Sequence, residues 1–96
     1  MILHVTEAKY LGNYKIEITF NDCRKGVADM RDSLRGFVFA ELKDEAFFAQ
    51  FKVDKELDTI TWSNGADFAP EFFYYQAFKD DLSLKDKFIE WGYINL

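Results

Sequence analysis

His4 and Cys23 are the only histidine and the only cysteine in this chain. A Ser-His-Asp or Cys-His nucleophile would need His4 to meet Cys23 or one of the three serines, and no motif around any of them supports such a pair. Cys23 is followed by Arg24 and Lys25, cations of the kind that favour a thiolate, and is read as an incidental thiol in a turn. His4 is read as a half-exposed strand residue. One Cys and one His cannot supply the three or four ligands of a zinc site. Asp54, Glu56 and Asp58 alternate as the opening of a calcium loop does. The sixth position is Thr59 rather than Gly and the twelfth is Gly65 rather than Glu, so they read as a charged hairpin tip. No G-x-G-x-x-G or G-x-x-x-x-G-K-[ST] run exists to cradle a phosphate. No spacing of carboxylates singles out an acid–base pair. The expectation is a binding protein rather than an enzyme, with no catalytic residue, metal or cofactor.

Three groups of residues could instead make contacts. Trp62, Asn64, Asp67 and Glu71 are a candidate surface for a partner or small ligand. Tyr74, Phe78, Phe88 and Trp91 are a candidate dimer surface. Arg24, Lys25, Arg31 and Arg35 are the basic concentration of the chain. The last group either balances Asp22, Asp29 and Asp32 at a solvated edge or docks an acidic partner surface. Acids outnumber bases 17 to 12, for a net charge of −5. Residues 1–35 hold six bases and five acids, and residues 36–96 hold six bases and twelve acids. A phosphate-binding surface needs clustered cations that release counterions, so autonomous nucleic-acid binding is not expected.

The elements that must position these groups follow from the apolar pattern. The chain has 96 residues and a mass of 11.3 kDa, enough for one domain burying about 65% of its extended surface. Apolar residues make up 49%, with 11 Phe, 5 Tyr and 2 Trp, which excludes a disordered or low-complexity chain. Apolar runs fall far short of the roughly 20 residues of a membrane span, and no apolar leader opens the chain. A single Cys fits a reducing cytoplasm.

Tyr14, Ile16, Ile18 and Phe20 alternate with Lys15, Glu17 and Thr19, the period of a half-buried strand. Residues 3–10 form a strand before it, with Gly12-Asn13 as the two-residue hairpin turn. The Asn21-Asp22 turn leads to a third strand over 25–30, completing an antiparallel meander. An irregular connection over 34–42, bent at Gly36 before Phe37, Val38 and Phe39, precedes a short helix capped by Asp44. That helix gathers Phe47, Phe48 and Phe51 on one face. Runs 51–53 and 59–62 form a hairpin around 54–58. Asn64-Gly65 is a tight turn in which both residues are expected at positive φ, and Asp67 is expected to cap a helix opened by Pro70. This helix is apolar nearly all round, with Phe72 and Phe73 facing the sheet and Tyr74 and Phe78 on the opposite side. A last short helix starts at Ser83 and Asp86, ends at Gly92 and carries Leu84, Phe88 and Trp91 on one stripe. The fold class is α+β, in the order β3-α-β2-α. Residues 1–78 form the domain, and residues 79–96 form a helical extension packing on it or on a second protomer.

The segment Thr59 to Tyr74, T-I-T-W-S-N-G-A-D-F-A-P-E-F-F-Y, resembles the signature of a small bacterial family, domain of unknown function 2442. Tyr10-Leu11-Gly12, the T-F-N-D turn, V-A-D-M and G-F-V-F-A-E-L-K-D-E-A-F-F-A-Q-F-K-V-D agree in order, so the resemblance spans residues 2–75. Cys23 stands where a turn Gly is common, and Ser63 where Pro often precedes Asn-Gly. The resemblance implies a β3-α-β2 fold with a terminal helix and no established activity. Some members carry a following helix-turn-helix domain, for which residues 79–96 are too short. Others are encoded beside a second small protein in toxin–antitoxin-like pairs. The resulting expectation is a cytoplasmic protein-interaction module with an unidentified protein partner, Trp62 largely buried, and a homodimer formed through the C-terminal aromatic residues, in which Tyr93, Ile94 and Leu96 also seek cover. The alternatives are a small-ligand sensor built near Trp62, Asn64 and Asp67, and a nucleic-acid regulator.

Overall fold

A computed structural model of the chain describes residues 2–37 and 39–95. Val38 and Leu96, which the pattern placed in the irregular connection and the tail, lie outside the described residues. Strands β1 (Val5–Gly12), β2 (Lys15–Phe20) and β3 (Lys25–Asp29) form an antiparallel sheet with β2 at its centre. The register sets Ala8 opposite Ile18 and Tyr10 opposite Ile16, then Ile16 opposite Ala28 and Ile18 opposite Gly26. Residues opposite one another share a face. Ile16, Ile18, Phe20 and Ala28 therefore line the buried side, while Lys15, Glu17 and Thr19 line the other, as the alternation requires.

The first hairpin turns one residue later than the sequence suggests. Gly12 pairs with Lys15, and Asn13 and Tyr14 form the loop with φ of 53° and 62°. Tyr14 thus leaves the strand face and lays its ring on Phe48, with centroids 5.3 Å apart. Two non-glycine residues in left-handed backbone need support from outside the turn, and it comes from nearby Tyr10 and from residues 43 and 45. The Asn13 amide donates to Glu45 Oε1 at 3.0 Å, the Tyr14 amide to the Tyr10 hydroxyl at 3.3 Å, and the Tyr14 hydroxyl to the Lys43 carbonyl.

Helix α1 (Glu45–Phe48) starts where its cap predicts, with Asp44 Oδ1 accepting from the Ala46 amide at 3.0 Å. It drives Phe48 into the core, with Phe47 and Phe51 packed at the margin. Strands β4 (Lys52–Asp54) and β5 (Thr59–Thr61) make the second hairpin. Its tip is structural: Asp54 Oδ1 accepts from the Glu56 and Leu57 amides at 2.8 and 3.1 Å, and Asp58 Oδ2 lies 2.9 Å from His4 Nδ1.

Helix α2 (Pro70–Phe78) opens on Pro70, but Asp67 does not cap it. The N-cap is Ala69, two residues on, and Asp67 is held away in a bridge to Thr61. The two sides of α2 are also exchanged relative to the sequence expectation. Tyr74 and Phe78 meet the sheet, with ring centroids 4.9 and 5.9 Å from Phe20. Phe73 is fully buried against Phe68, and Phe72 is half-buried against Phe68 and Tyr93. The inward position on β3 beneath this edge of α2 is a glycine, which permits the close approach. A Cβ on Gly26 would come within 2.7 Å of Phe78 Cε1 and 3.2 Å of Ala77 Cβ, so the 77/78 edge of the helix rests directly on β3.

The tail folds back on its own chain. Asp81, rather than Ser83, caps the 3-10 turn Leu82–Leu84, accepting from the Ser83 amide at 2.9 Å and hydroxyl at 2.7 Å. Helix α3 (Lys85–Glu90) follows, and Gly92 ends it, with the Gly92 amide donating to the Ile89 carbonyl and the Tyr93 amide to the Phe88 carbonyl. Leu84 and Phe88 are buried, and Trp91 and Ile94 pack against the core.

Gly26→Ala should cost about 1 to 3 kcal/mol in urea unfolding, the usual penalty of overpacking, because the ring it meets is wedged against Phe20 and Tyr74. An unchanged midpoint would show that Phe78 swings clear.

Candidate functional site

The signature segment after β5 is a three-residue hairpin loop. The Trp62 amide donates to the Ala66 carbonyl at 2.9 Å and the Gly65 amide to the Trp62 carbonyl at 3.1 Å. Gly65 alone of the Asn-Gly pair takes positive φ, at 89°. The expected primed turn is therefore replaced by an ordinary turn closed by a left-handed glycine, a geometry in which only the last loop residue must be Gly. Asn64 completes the loop by accepting from the Ala66 amide at 3.0 Å through Oδ1, and its Nδ2 lies 3.5 Å from Glu41 Oε1.

This loop turns Trp62 inward. Its indole is 4% exposed, as the sequence suggests, and Nε1 donates to the Phe48 carbonyl at 2.8 Å. The ring packs between Phe48, Phe51 and Phe68. Trp62 is thus removed from any contact surface, leaving Asn64 half-buried beside Glu41, Asp67 exposed and Glu71 half-buried at the start of α2. Glu71 lies close enough to Tyr93 to reinforce, by its charge, the upward pKa shift that burial gives that phenol. Of the four, Trp62 alone is buried, and Asn64, Asp67 and Glu71 keep some exposure.

The proposed dimer surface is also largely consumed. Tyr74 is 2% exposed and Phe88 is fully buried, and Tyr74 meets Phe88 and Trp91 at centroid distances of 6.4 and 6.0 Å. Tyr93 stacks on Tyr75 at 5.1 Å. The cover these rings need is supplied within the chain, because the short connection after α2 returns α3 directly onto it.

The four basic residues do not share one place. Arg24 precedes β3 and Lys25 opens it, whereas Arg31 lies beyond its far end with its guanidinium 5.6 Å from the Tyr14 ring centre. Arg35 is exposed in the connection after that. Arg24 instead joins a polar clasp that sequence reading missed. The Tyr74 hydroxyl donates to Asp22 Oδ2 at 2.7 Å, while Arg24 stands 3.9 Å from that oxygen and 3.6 Å from Asp81 Oδ2. Burial, followed by the bond to Asp22, pushes the Tyr74 phenol up to about 12. The Ser83 hydroxyl and amide hold Asp81 below the usual carboxylate range. A buried phenol opposite a turn aspartate has no sequence signal, since the two lie 52 residues apart.

The outer face of the first sheet is the open surface. Across the strands the register aligns Glu7, Thr19 and Lys25 in one row, Lys9, Glu17 and Val27 in the next, and Lys15 with Asp29 in a third. Opposite charges thus stand opposite one another on neighbouring strands. A shallow groove of about 250 Å³ runs among Glu7, Ala8, Lys9, Glu17, Thr19 and Lys25. Among the described residues no group of three or more His, Cys, Asp or Glu is placed to hold a metal ion.

A family model described as "Protein of unknown function (DUF2442)" matches residues 5–79. No curated protein matches the chain. A crystal structure from Nitrosomonas europaea ATCC 19718, of a protein described as "Putative DNA Binding Protein NE0471", is similar in fold, with a TM-score of 0.74 at 16% sequence identity. The match covers 98% of this chain and 63% of that one, so the chain spans less than two thirds of its neighbour's length.

Two measurements check the packed interior. Trp62→Phe keeps an aromatic ring but leaves the buried Phe48 carbonyl without its donor, and should cost about 1 to 3 kcal/mol in urea unfolding. The Tyr74 phenol holds its proton to about 12 when folded and to 10.0 in its ordinary state. Its contribution is fully present below pH 10 and is lost as pH rises toward 12. Tyr74→Phe should therefore show a flatter fall in stability across that window than the unsubstituted protein.

Proposed function

The chain belongs to the family of proteins of unknown function DUF2442, and we propose that it acts as a small, non-catalytic protein-binding module whose recognition surface is the outer face of the β1-β2-β3 sheet. The open charged face carries this reading. The described side chains of that face are exposed or half-buried, and α2, α1 and the second hairpin all pack on the opposite side. Its interleaved Lys and Glu, with exposed Leu11 and Val27 among them, suit a wet interface with a partner of complementary charge pattern. Such a surface confers specificity more readily than catalysis, since no side chain on it is buried or directed into an enclosed cavity. The family resemblance directs attention to a protein encoded beside it, in a two-gene pair acting in the cytoplasm.

DNA binding, suggested by the description of the Nitrosomonas europaea protein, has less behind it here. The net charge is −5, and Arg24 is turned toward Asp22 and Asp81. No helix among the described residues is long and apolar enough to cross a membrane.

The test is calorimetric titration of the neighbouring gene's product into the protein, repeated with Lys9→Glu and Glu17→Lys. Each reversal places like charges opposite one another and should weaken binding about tenfold, with the melting temperature little changed. Unaltered affinity in both variants would move recognition off this face. Retention on DNA at physiological salt, with no protein partner bound, would favour the nucleic-acid reading.

A further inference from the structure

The sheet order β1-β2-β3 leaves one side of β3 unpaired. The Phe20 amide donates to the Arg24 carbonyl and the Met30 amide to the Tyr14 carbonyl, which sets the parity of the ladder. Gly26 and Ala28 turn their backbone groups toward β2, so the N–H and C=O groups of Lys25, Val27 and Asp29 point away from the sheet. No described residue bonds to those outward groups. The side chains of Lys25, Val27 and Asp29 are exposed on the outer face, away from the inner face on which α2 meets Gly26. Val27 is 43% exposed on this edge, with no bulge or proline to blunt it.

We propose that two copies of the chain pair through β3, antiparallel about a two-fold axis at Val27, joining their sheets into one. The segment Lys25-Gly26-Val27-Ala28-Asp29 is its own charge complement. In this register Lys25 faces Asp29 of the second copy, Asp29 faces Lys25 of the second copy, and the two Val27 side chains meet between them. The three residues that face one another are those whose backbone groups point outward, so each pair exchanges both of its hydrogen bonds. A shift to the next permitted register sets Lys25 or Asp29 against Val27 and loses both charge pairs. Two-fold symmetry repeats every favourable contact. The contact is made through the backbone edge of β3, although Lys25, Val27 and Asp29 also border the outer face. Lys9→Glu and Glu17→Lys leave β3 unchanged and so distinguish a failure of the partner-binding reading from a failure of this pairing.

Sedimentation equilibrium of the full chain over about 1 to 200 µM should show a monomer–dimer equilibrium. Lys25→Asp and Asp29→Lys should each weaken it about tenfold, and the double variant should restore it to within about threefold. Val27→Pro removes an outward N–H and none of the β2–β3 hydrogen bonds, so it should abolish the dimer while circular dichroism shows the fold intact. If that variant does not fold, the charge exchange decides alone. A protein monomeric at the highest concentration overturns the proposal. A dimer indifferent to both charge reversals overturns it as well, since its interface must lie elsewhere.

Discussion

Helix α2 has no polar side, and the rest of the chain is arranged to cover it. Burying a Phe or Tyr side chain is worth roughly 1.5 to 3 kcal/mol, so a helix carrying Phe72, Phe73, Tyr74, Tyr75 and Phe78 must be enclosed from several directions. Phe20 and Gly26 receive it from the sheet, Phe68 from the signature loop, and Phe88, Trp91 and Tyr93 from the tail. The glycine on β3 and the fold-back of residues 82–94 are two answers to one demand. Without either, an aromatic surface would stand in water.

The signature loop belongs to the same interior. Trp62 has both an aromatic body to bury and an N–H to satisfy, and the end of α1 offers a carbonyl at hydrogen-bond distance. The loop geometry that aims the indole inward depends on Gly65 and on Asn64 Oδ1 accepting from the Ala66 amide. The most distinctive stretch of sequence is therefore accounted for by packing. What remains for recognition is the face the aromatics do not use, a lattice of charged side chains on three strands.

Most of the architecture was legible because local rules and tertiary packing agree. Alternation over β2, the Asp44 cap, Pro70 at the first helical turn and Gly92 at the last each report a backbone state that nearby residues dictate. Errors arose where distant residues decide. The first turn sits at Asn13-Tyr14 because Glu45, Tyr10 and Lys43 reward it, which Gly12-Asn13 could not signal. A helix of nearly uniform hydrophobicity does not signal which face meets the sheet, and here Tyr74 and Phe78 do, with Phe78 resting on Gly26. The size and apolarity of Trp62 place it inside, but composition does not show which way a loop aims its ring or which of its neighbours stay at the surface. The clasp of Tyr74, Asp22, Arg24 and Asp81 joins segments that no spacing rule connects.

The Asn13-Tyr14 turn bears on where the first hairpin draws its stability. Left-handed backbone costs an L-residue roughly 1 to 2 kcal/mol, and this turn imposes it twice in succession. The compensating bonds come from residues 43 and 45, about thirty positions along the chain. The β1–β2 hairpin by itself keeps only the Tyr10 hydroxyl from this set of supports. The N-terminal meander is local in sequence, but part of what steadies its first turn is not, so its stability is tied to Glu45, Lys43 and Phe48.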